Sequence, residues 1–171
     1  MPKIIENVRE TLLAEAKRQI SERGYGSTTI RSVAAECGIA VGTVYNYFDS
    51  KDMLIASFML DDWLLSTDLI RNAPTADPRE YLLAVYSALC TFSGKYSALF
   101  SDKEAAKAYN SAFGERHKQL RAQLAELMRP ICRELDNADF ACEFIAESML
   151  SWTMAGKDFD SIYDIIKKII I

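Results

Sequence analysis

The chain has 171 residues, of which 50% are apolar and 26% are charged, as is ordinary for a globular protein. Its seven glycines and four prolines are few, which favours helices over a turn-rich β fold. The formal net charge of −4 excludes the strongly basic proteins that bind polyanions indiscriminately.

The acidic excess is unevenly distributed along the chain. Residues 1–51 contain seven Lys/Arg and six Asp/Glu, whereas residues 52–171 contain 13 and 18. A protein that binds specific DNA does not need a basic pI overall. The charge therefore leaves the N-terminal segment open as a DNA-binding region, although composition alone does not suggest DNA.

The cysteine pattern predicts neither a metal site nor a disulfide framework. Cys37, Cys90, Cys132 and Cys142 are widely spaced and form no C-x-x-C pair. Buried, reduced thiols are the expected state in a cytosolic chain. A redox sensor that uses one of the last three cysteines remains the alternative.

No signature of a membrane protein or an enzyme is visible. No basic-then-apolar leader opens the chain and no apolar run approaches ~18 residues, so we expect a cytoplasmic protein without a membrane partner. There is no phosphate-cradling glycine loop, no H-E-x-x-H and no G-x-S-x-G. The single histidine, His117, lies among charged residues and is expected to be solvated. We therefore expect no catalytic residue, metal or cofactor.

The first predicted helix spans residues 3–23 and ends at Gly24-Tyr25-Gly26. Its apolar positions step by three and four, at Ile5, Val8, Leu12, Ala16 and Ile20. Thr28 and Thr29 follow as candidate N-caps of a second helix, because a hydroxyl can accept from the free amides of a first turn. Those amides can also face a DNA phosphate, where Arg31 adds a cation.

Residues 29–51 predict two short helices joined by a tight turn. Gly38 lies where the first of them must end, since glycine adopts the left-handed conformation without penalty. The second helix is expected to bury Val41, Val44 and Phe48. Its opposite face carries Thr43, Asn46 and Tyr47, flanked by Gly42 and Tyr45. This arrangement is typical of a helix-turn-helix.

The remaining chain predicts further helices, about nine in total, and hence an all-α fold. A long helix over 50–71, capped by Ser50, is apolar over so wide an arc that it must pack on two partners. The later helices are expected over 78–94 (closed by Gly94), 95–114 (one or two short helices), 115–134 (bent by Pro130), 138–155 and from about Ile162 to Ile170. The last of these is strongly apolar on one face, and it either caps the core or pairs with a second copy.

The pattern T-x-R-x-V-A-x-x-x-G-I-x-x-G-T-x-Y-N-Y-F-x-S-K resembles the DNA-binding domain of the tetracycline-repressor (TetR) family of bacterial transcription regulators. The resemblance covers roughly the first fifty residues. It implies an N-terminal three-helix helix-turn-helix DNA-binding domain (1–50) and a helical effector-binding and dimerisation domain (51–171). It also implies a homodimeric repressor that a small-molecule effector releases from a palindromic double-stranded DNA operator.

The resemblance assigns DNA contacts to individual residues. Phosphate contacts fall on Thr29, Arg31 and Lys51, and the recognition surface comprises Gly42, Thr43, Tyr45, Asn46 and Tyr47. Asn46 can pair with adenine and the Thr43 methyl can contact thymine. Since no Lys or Arg lies in residues 42–48, strong reading of G·C pairs is not expected. Packing of the two tyrosines within the domain remains open.

The regulatory region is less well specified. Aromatic residues are candidates to line an effector pocket, with core packing as the alternative: Trp63, Tyr86, Tyr96, Phe113 and Trp152. The resemblance also implies a dimer interface from the last two helices, with Phe144, Ile162, Ile165, Ile166 and Ile169 as candidates. The chain is short for the family. A helical dimerisation module, a regulator without a small-molecule ligand and an all-helical enzyme are the competing functions.

Overall fold

A computed structural model describes residues 7–71, 77–105, 107 and 114–170, with the side chains of 114–117 excepted. The described residues contain helices and no strand, so the predicted all-α fold is confirmed. In chain order the helices are α1 (Val8–Ser27), α2 (Ile30–Cys37), α3 (Val41–Tyr45), α4 (Lys51–Arg71), α5 (Pro78–Ser101), α6 (Gly114–Leu127), α7 (Arg129–Cys132), α8 (Ala138–Met154) and α9 (Phe159–Ile170).

The chain divides into two compact units. The first comprises the described parts of Met1–Asp62 and Ser97–Phe113, and the second those of Trp63–Tyr96 and Gly114–Ile171. Helices α4 and α5 therefore each contribute to both units. The division predicted at residue 50 separates a DNA-binding domain from an effector domain by function. These two structural units do not test it, and it stays a prediction.

The core of the first unit forms where α1, α2 and α3 pack together. Leu12, Ala16, Val33 and Val44 are each 0% exposed. Burying a side chain the size of leucine or valine contributes about 1.5–3 kcal/mol. The apolar stripe predicted for α1 is thus right at Leu12 and Ala16. Val8 and Ile20, on the same stripe, are half-buried.

Two predicted helix boundaries in the first unit are confirmed. Gly24 interrupts α1 with φ 77° and ψ 174°, a conformation that side-chain-bearing residues rarely adopt. Ser50 caps α4, because the Met53 amide donates to its Oγ at 3.1 Å. The predicted start of the first helix, residues 3–6, lies outside the described residues.

The core of the second unit comes from α5, α6, α8 and α9. Its most deeply buried side chains, each 2% exposed or less, include Leu82, Val85, Leu124, Met128, Ile145, Met149 and Ile166. Helix α5 begins at Pro78 as predicted, and the Asp77 carboxylate accepts from the Arg79 amide at 2.8 Å.

The predicted end of α5 at Gly94 is wrong, because the helix continues to Ser101. A glycine inside a helix costs only about 1 kcal/mol relative to alanine. Burial of Tyr96 and Leu99 on the next turns offsets that cost. The segment 95–101, predicted as part of a separate short helix, is therefore the last part of α5.

The helix predicted over 115–134 is divided in two. Helix α6 ends at Leu127, Met128 adopts the position before α7, and Pro130 lies in the first turn of α7. Proline has no backbone N–H to donate to the preceding turn. The chain therefore ends one helix and begins another near Pro130, where a bend within a single helix was predicted. Helix α8 follows as predicted, and α9 begins at Phe159, three residues before the predicted Ile162. Gly156, with φ +76°, lies between them.

Candidate nucleic-acid interface

The N-terminus of α2 is held by a reciprocal pair of side-chain hydrogen bonds. The Ser32 amide donates to Thr29 Oγ1 at 3.0 Å, and the Thr29 amide donates to Ser32 Oγ at 3.0 Å. Thr29 and Arg31 are both exposed. The capping box satisfies the third amide of the helix and leaves those of Ile30 and Arg31 without an intrahelical acceptor. An anion can therefore bind at this end of α2.

A left-handed glycine sets the angle between α2 and α3. Gly38 has φ 65° and ψ 31°, and its amide donates to the carbonyls of Ala34 and Ala35. The Ile39 amide donates a hydrogen bond to the Ala34 carbonyl at 2.9 Å, and the Ile39 side chain is buried. These contacts close the C-terminus of α2 and confirm the predicted helix stop.

Helix α3 buries its apolar side and presents its polar side. Val44 is 0% exposed and Phe48 4%, whereas Tyr45 is 52% and Tyr47 48% exposed. Asn46 is also exposed. The helix ends before Phe48, the last position of its predicted apolar stripe, since residues 46 and 47 form a turn.

The other predicted recognition residues lie on the same segment. Gly42 is exposed, whereas Thr43 is half-buried. The amides of Tyr47 and Phe48 both donate to the Val44 carbonyl at 3.0 Å. This fixes the turn that carries Asn46 and Tyr47. The predicted outward face is therefore present, with Thr43 as its least accessible member.

The cations of the first unit differ in their availability. Arg9, Lys17, Arg18 and Arg23 each lie within 4.0 Å of a carboxylate: Asp61, Asp62, Glu15 and Glu36 respectively. Arg31 has no carboxylate partner among the residues the structure describes. An unpaired guanidinium can bind a phosphate without first breaking an ion pair.

Lys51, predicted to contact phosphate, already has a partner in the protein. Its Nζ donates to the Tyr25 carbonyl at 2.9 Å and lies 3.5 Å from the centre of the Tyr25 ring. Burial lowers the pKa of Lys51. The Tyr25 hydroxyl donates to Asp52 Oδ1 at 2.5 Å, so Lys51 and Asp52 together join α4 to the end of α1. Sequence reasoning missed this role, because nothing local to Lys51 indicates Tyr25.

The residues proposed for an effector pocket do not form one group. Trp63 and Tyr96 are buried and both contact Phe92, at ring-centre distances of 5.5 and 5.0 Å. Tyr86 lies in a second cluster, 5.6 Å from Phe159, and its hydroxyl donates to the Lys157 carbonyl. Trp152 is 53% exposed. Phe113 lies outside the described residues.

A groove of about 540 Å³ opens between α6 and α8, and it is charged rather than aromatic. Its lining comprises Lys118, Arg121, Ala122, Ala125, Glu126, Arg129, Asp139, Cys142, Glu143 and Glu147. Arg129 pairs with Glu126 and Asp139, and Arg121 pairs with Glu147. Both arginines are thus engaged across the groove.

The residues predicted for the dimer interface face in different directions. Phe144 is 45% and Ile165 58% exposed, whereas Ile162 and Ile166 are 5% and 1% exposed. Ile162 and Ile166 belong to the protomer core, because they follow Phe159 at spacings that place all three on the inner face of α9. Ile169 is half-buried. Three more apolar side chains of α8 are exposed. The prediction of the dimer interface omitted Phe140 and Met154, and it assigned Trp152 to the effector pocket.

The cysteines and possible metal ligands add no further site. All four cysteines are free thiols: Cys132 and Cys142 are buried as predicted, whereas Cys37 is half-buried and Cys90 is exposed. Burial raises the pKa of Cys132 to about 12, which lowers the reactivity of that thiol. No group of three metal-ligating side chains occurs in the described part of the chain. No described helix is both long enough and apolar enough to span a bilayer.

The N-terminal part of the chain matches a known family, and two curated proteins are similar in sequence. Residues 12–58 match the family described as bacterial regulatory proteins, tetR family. Over 93 residues the chain is 39% identical to the HTH-type transcriptional regulator BetI of Burkholderia cenocepacia (strain HI2424), covering 52% of this chain and 48% of BetI. Over 54 residues it is 37% identical to the HTH-type transcriptional regulator HbdR of Aromatoleum sp. (strain CIB), covering 32% of this chain and 24% of HbdR.

Solved structures resemble the chain over nearly its whole length. The TetR family repressor AlkX of Dietzia sp. strain DQ12-45-1b has a TM-score of 0.63 at 17% identity, covering 94% of this chain and 98% of AlkX. Salmonella enterica GusR gives 0.63 at 17% identity, with 98% of both chains covered. These likenesses concern the fold. The chain spans about half the length, or less, of the curated relatives that it matches in sequence.

Proposed function

We propose that this chain, whose residues 12–58 belong to the tetR family of bacterial regulatory proteins, is a sequence-specific DNA-binding transcriptional regulator. One observation carries the proposal. The exposed side of α3 and its following turn carries Tyr45, Asn46 and Tyr47. In the preceding helix, the N-terminus of α2 has amides without an intrahelical acceptor, and its Arg31 has no carboxylate partner among the described residues. Phosphate contacts fix the register of a protein on DNA, and base contacts choose the sequence.

The phosphate contacts are assigned to the N-terminus of α2. Thr29 and the first amides of α2 bind one phosphate, and Arg31 supplies the charge. Lys51 adds a contact only if its ammonium keeps a donor free beside the Tyr25 carbonyl. An ammonium has three hydrogens, so the 2.9 Å hydrogen bond leaves that possible.

The base contacts are assigned to Gly42, Thr43, Tyr45, Asn46 and Tyr47. Asn46 pairs bidentately with adenine, the Thr43 methyl and the tyrosine rings contact thymine methyl groups, and Gly42 permits close approach. The commonest guanine contact needs Arg or Lys, and residues 42–48 contain neither. We therefore expect the part of the half-site under α3 to be rich in A·T pairs.

The regulator acts as a homodimer on a palindrome. A single helix-turn-helix covers a small area, and a two-fold dimer reads two half-sites about one helical turn, or a multiple, apart. The exposed apolar residues of α8 and α9, Phe144 and Ile165 among them, supply the surface that a second copy covers.

The regulator is a repressor released by a small-molecule effector that binds the second unit. We assign the apolar ligand to the group of Trp63, Phe92 and Tyr96, where the second unit brings three aromatic rings together. Differential binding of ~1–3 kcal/mol between the free and operator-bound conformations is enough for typical regulation. Thermal-shift screening of apolar and aromatic metabolites, with Trp63→Ala as control, tests this part separately.

Footprinting on the DNA that flanks the protein's own gene tests the main proposal. We expect a protected palindrome, and we expect Asn46→Ala/Tyr47→Ala to abolish the protection with an unchanged circular-dichroism melting curve. Ser21→Ala, on the exposed surface of α1, is the matched control and should protect as the wild type does. Binding without sequence preference would favour the helical dimerisation module instead. Turnover of a small molecule would favour an enzyme.

A further inference from the structure

A buried glutamine on α1 links that helix to the N-terminus of α2. Gln19 is 0% exposed although its side chain is polar. Its Nε2 donates to Glu15 Oε1 at 2.7 Å, and its Oε1 accepts from Ser32 Oγ at 2.6 Å. Both ends of the amide are therefore satisfied, as burial requires.

The direction of each hydrogen bond in this group follows from chemistry. An ionised carboxylate only accepts, so the Gln19 amide nitrogen must face Glu15 and its carbonyl must face Ser32. Two hydrogen bonds from Arg18, at 2.7 and 2.9 Å, hold Glu15, and they lower its pKa despite some burial. Glu15 is thus ionised at neutral pH, and the orientation of Gln19 is determined.

The hydrogen bonds continue from Gln19 to the N-cap of α2. The single Ser32 hydroxyl hydrogen is directed to the Gln19 carbonyl at 2.6 Å, in preference to the Thr29 carbonyl at 2.9 Å. The Ser32 oxygen then accepts from the Thr29 amide, while Thr29 Oγ1 accepts from the Ser32 amide. The Thr29 hydroxyl keeps its own hydrogen, which can be donated to an external oxygen acceptor.

We propose that Gln19 is a positioning residue for DNA binding, which acts through Ser32 to hold the α2 N-terminus and the Thr29 hydroxyl in the orientation that meets a phosphate. The inference rests on the proposed function and adds a residue that touches no DNA. A buried apolar side chain at this position would serve the core equally well. The amide of Gln19 is explained by the hydrogen bond that it accepts from Ser32, which in turn holds Thr29.

The test is fluorescence-anisotropy titration of the full chain with the duplex found by footprinting. Gln19→Met keeps the length of the side chain and removes both hydrogen-bonding groups. We expect its Kd for the duplex to rise about tenfold with unchanged base preference, because weakening the Thr29 hydrogen bond to phosphate by about threefold in each of the two subunits multiplies to about tenfold. Ser32→Ala should weaken binding similarly, whereas Ser32→Thr, which keeps the hydroxyl, should restore it.

A double-mutant cycle separates positioning from general destabilisation. If Gln19 acts through Ser32, the Gln19→Met/Ser32→Ala protein should bind no more weakly than the weaker of the two single variants. Leu12→Ala, in the same helix core, should lower the melting temperature and leave the Kd of the folded protein unchanged. If Gln19→Met does not fold, Gln19→Asn replaces it in the same titration, because it keeps the amide but is one methylene too short to reach Ser32 Oγ and should weaken binding in the same way.

The outcomes distinguish the two proposals. A wild-type protein that binds no duplex specifically would overturn the proposed function, and this inference with it. A wild type that binds, with Gln19→Met binding as tightly or the two substitutions acting additively, would overturn the role of Gln19 alone.

Discussion

Replacing Arg31 by glutamine removes the arginine of residues 7–62 that has no carboxylate partner among the described residues. In a dimer the substitution removes two phosphate contacts. Each contact contributes about 0.9 to the slope of log K against log salt concentration, so the slope should become smaller in magnitude by about 1.8. Raising the salt concentration from about 50 to 200 mM weakens binding by a certain factor in the wild type. That factor should be about tenfold smaller in the variant.

Arg9→Gln is the matched control, because it removes the same charge from an arginine that pairs with Asp61 at 3.4 Å. Binding should be titrated by anisotropy at four or more salt concentrations for wild type, Arg31→Gln and Arg9→Gln. We expect the Arg9→Gln slope to match that of the wild type. Equal changes of slope in both variants would show that net charge governs binding. Arg31 would then not be the specific phosphate contact that we propose.

Three further predictions concern stability and assembly. Tyr25→Phe should lower the free energy of unfolding by about 1.5–3 kcal/mol in urea titrations, since the hydroxyl donates to the Asp52 carboxylate. Burial and Asp52 raise the pKa of Tyr25, so its contribution is complete below the unfolded tyrosine pKa of about 10 and declines at higher pH. Tyr25→Phe should therefore lose less stability between about pH 9 and 11 than the wild type, and an equal loss would contradict this. Leu82→Ala should destabilise the protein by about 2–5 kcal/mol, because Leu82 is 0% exposed; a loss under about 1 kcal/mol would refute tight packing there. Ile165→Lys should leave the circular-dichroism spectrum unchanged and convert a dimer to monomers in analytical ultracentrifugation, whereas a stable dimer would place the interface elsewhere.

In the candidate DNA interface, the local sequence pattern predicted which side of α3 is buried but not where the helix ends. The spacing of Val44 and Phe48 correctly predicted which side of α3 is buried, and hence the exposure of Asn46 and Tyr47. Such a pattern is complete within two helical turns, so a single sequence is enough to recognise it. The same pattern did not predict that α3 ends at Tyr45, because helix ends depend on contacts with other elements.

The role of Lys51 could not be predicted from its neighbours. Its partner Tyr25 lies 26 positions earlier, and only the packing of α4 against α1 brings the ammonium to the Tyr25 carbonyl. Ile165 and Ile166 illustrate the same limit, since both are apolar but only Ile166 is buried in the protomer. Hydrophobicity identifies residues that avoid water, and tertiary packing decides which neighbour covers them.

Short-range chemistry in the sequence determined the helical class, the cap at Ser50 and the left-handed turn at Gly38, and it limited the cap of α2 to Thr28 or Thr29. Each of these depends on one residue's backbone freedom or on a hydroxyl within three positions of an amide. The tertiary structure decided that Gln19 is buried more deeply than Ile20, that Arg31 has no carboxylate partner within the described part of the chain, and that α5 continues through Gly94. Those outcomes depend on groups that are distant in the chain, whose free energies of burial and hydrogen bonding outweigh local preference.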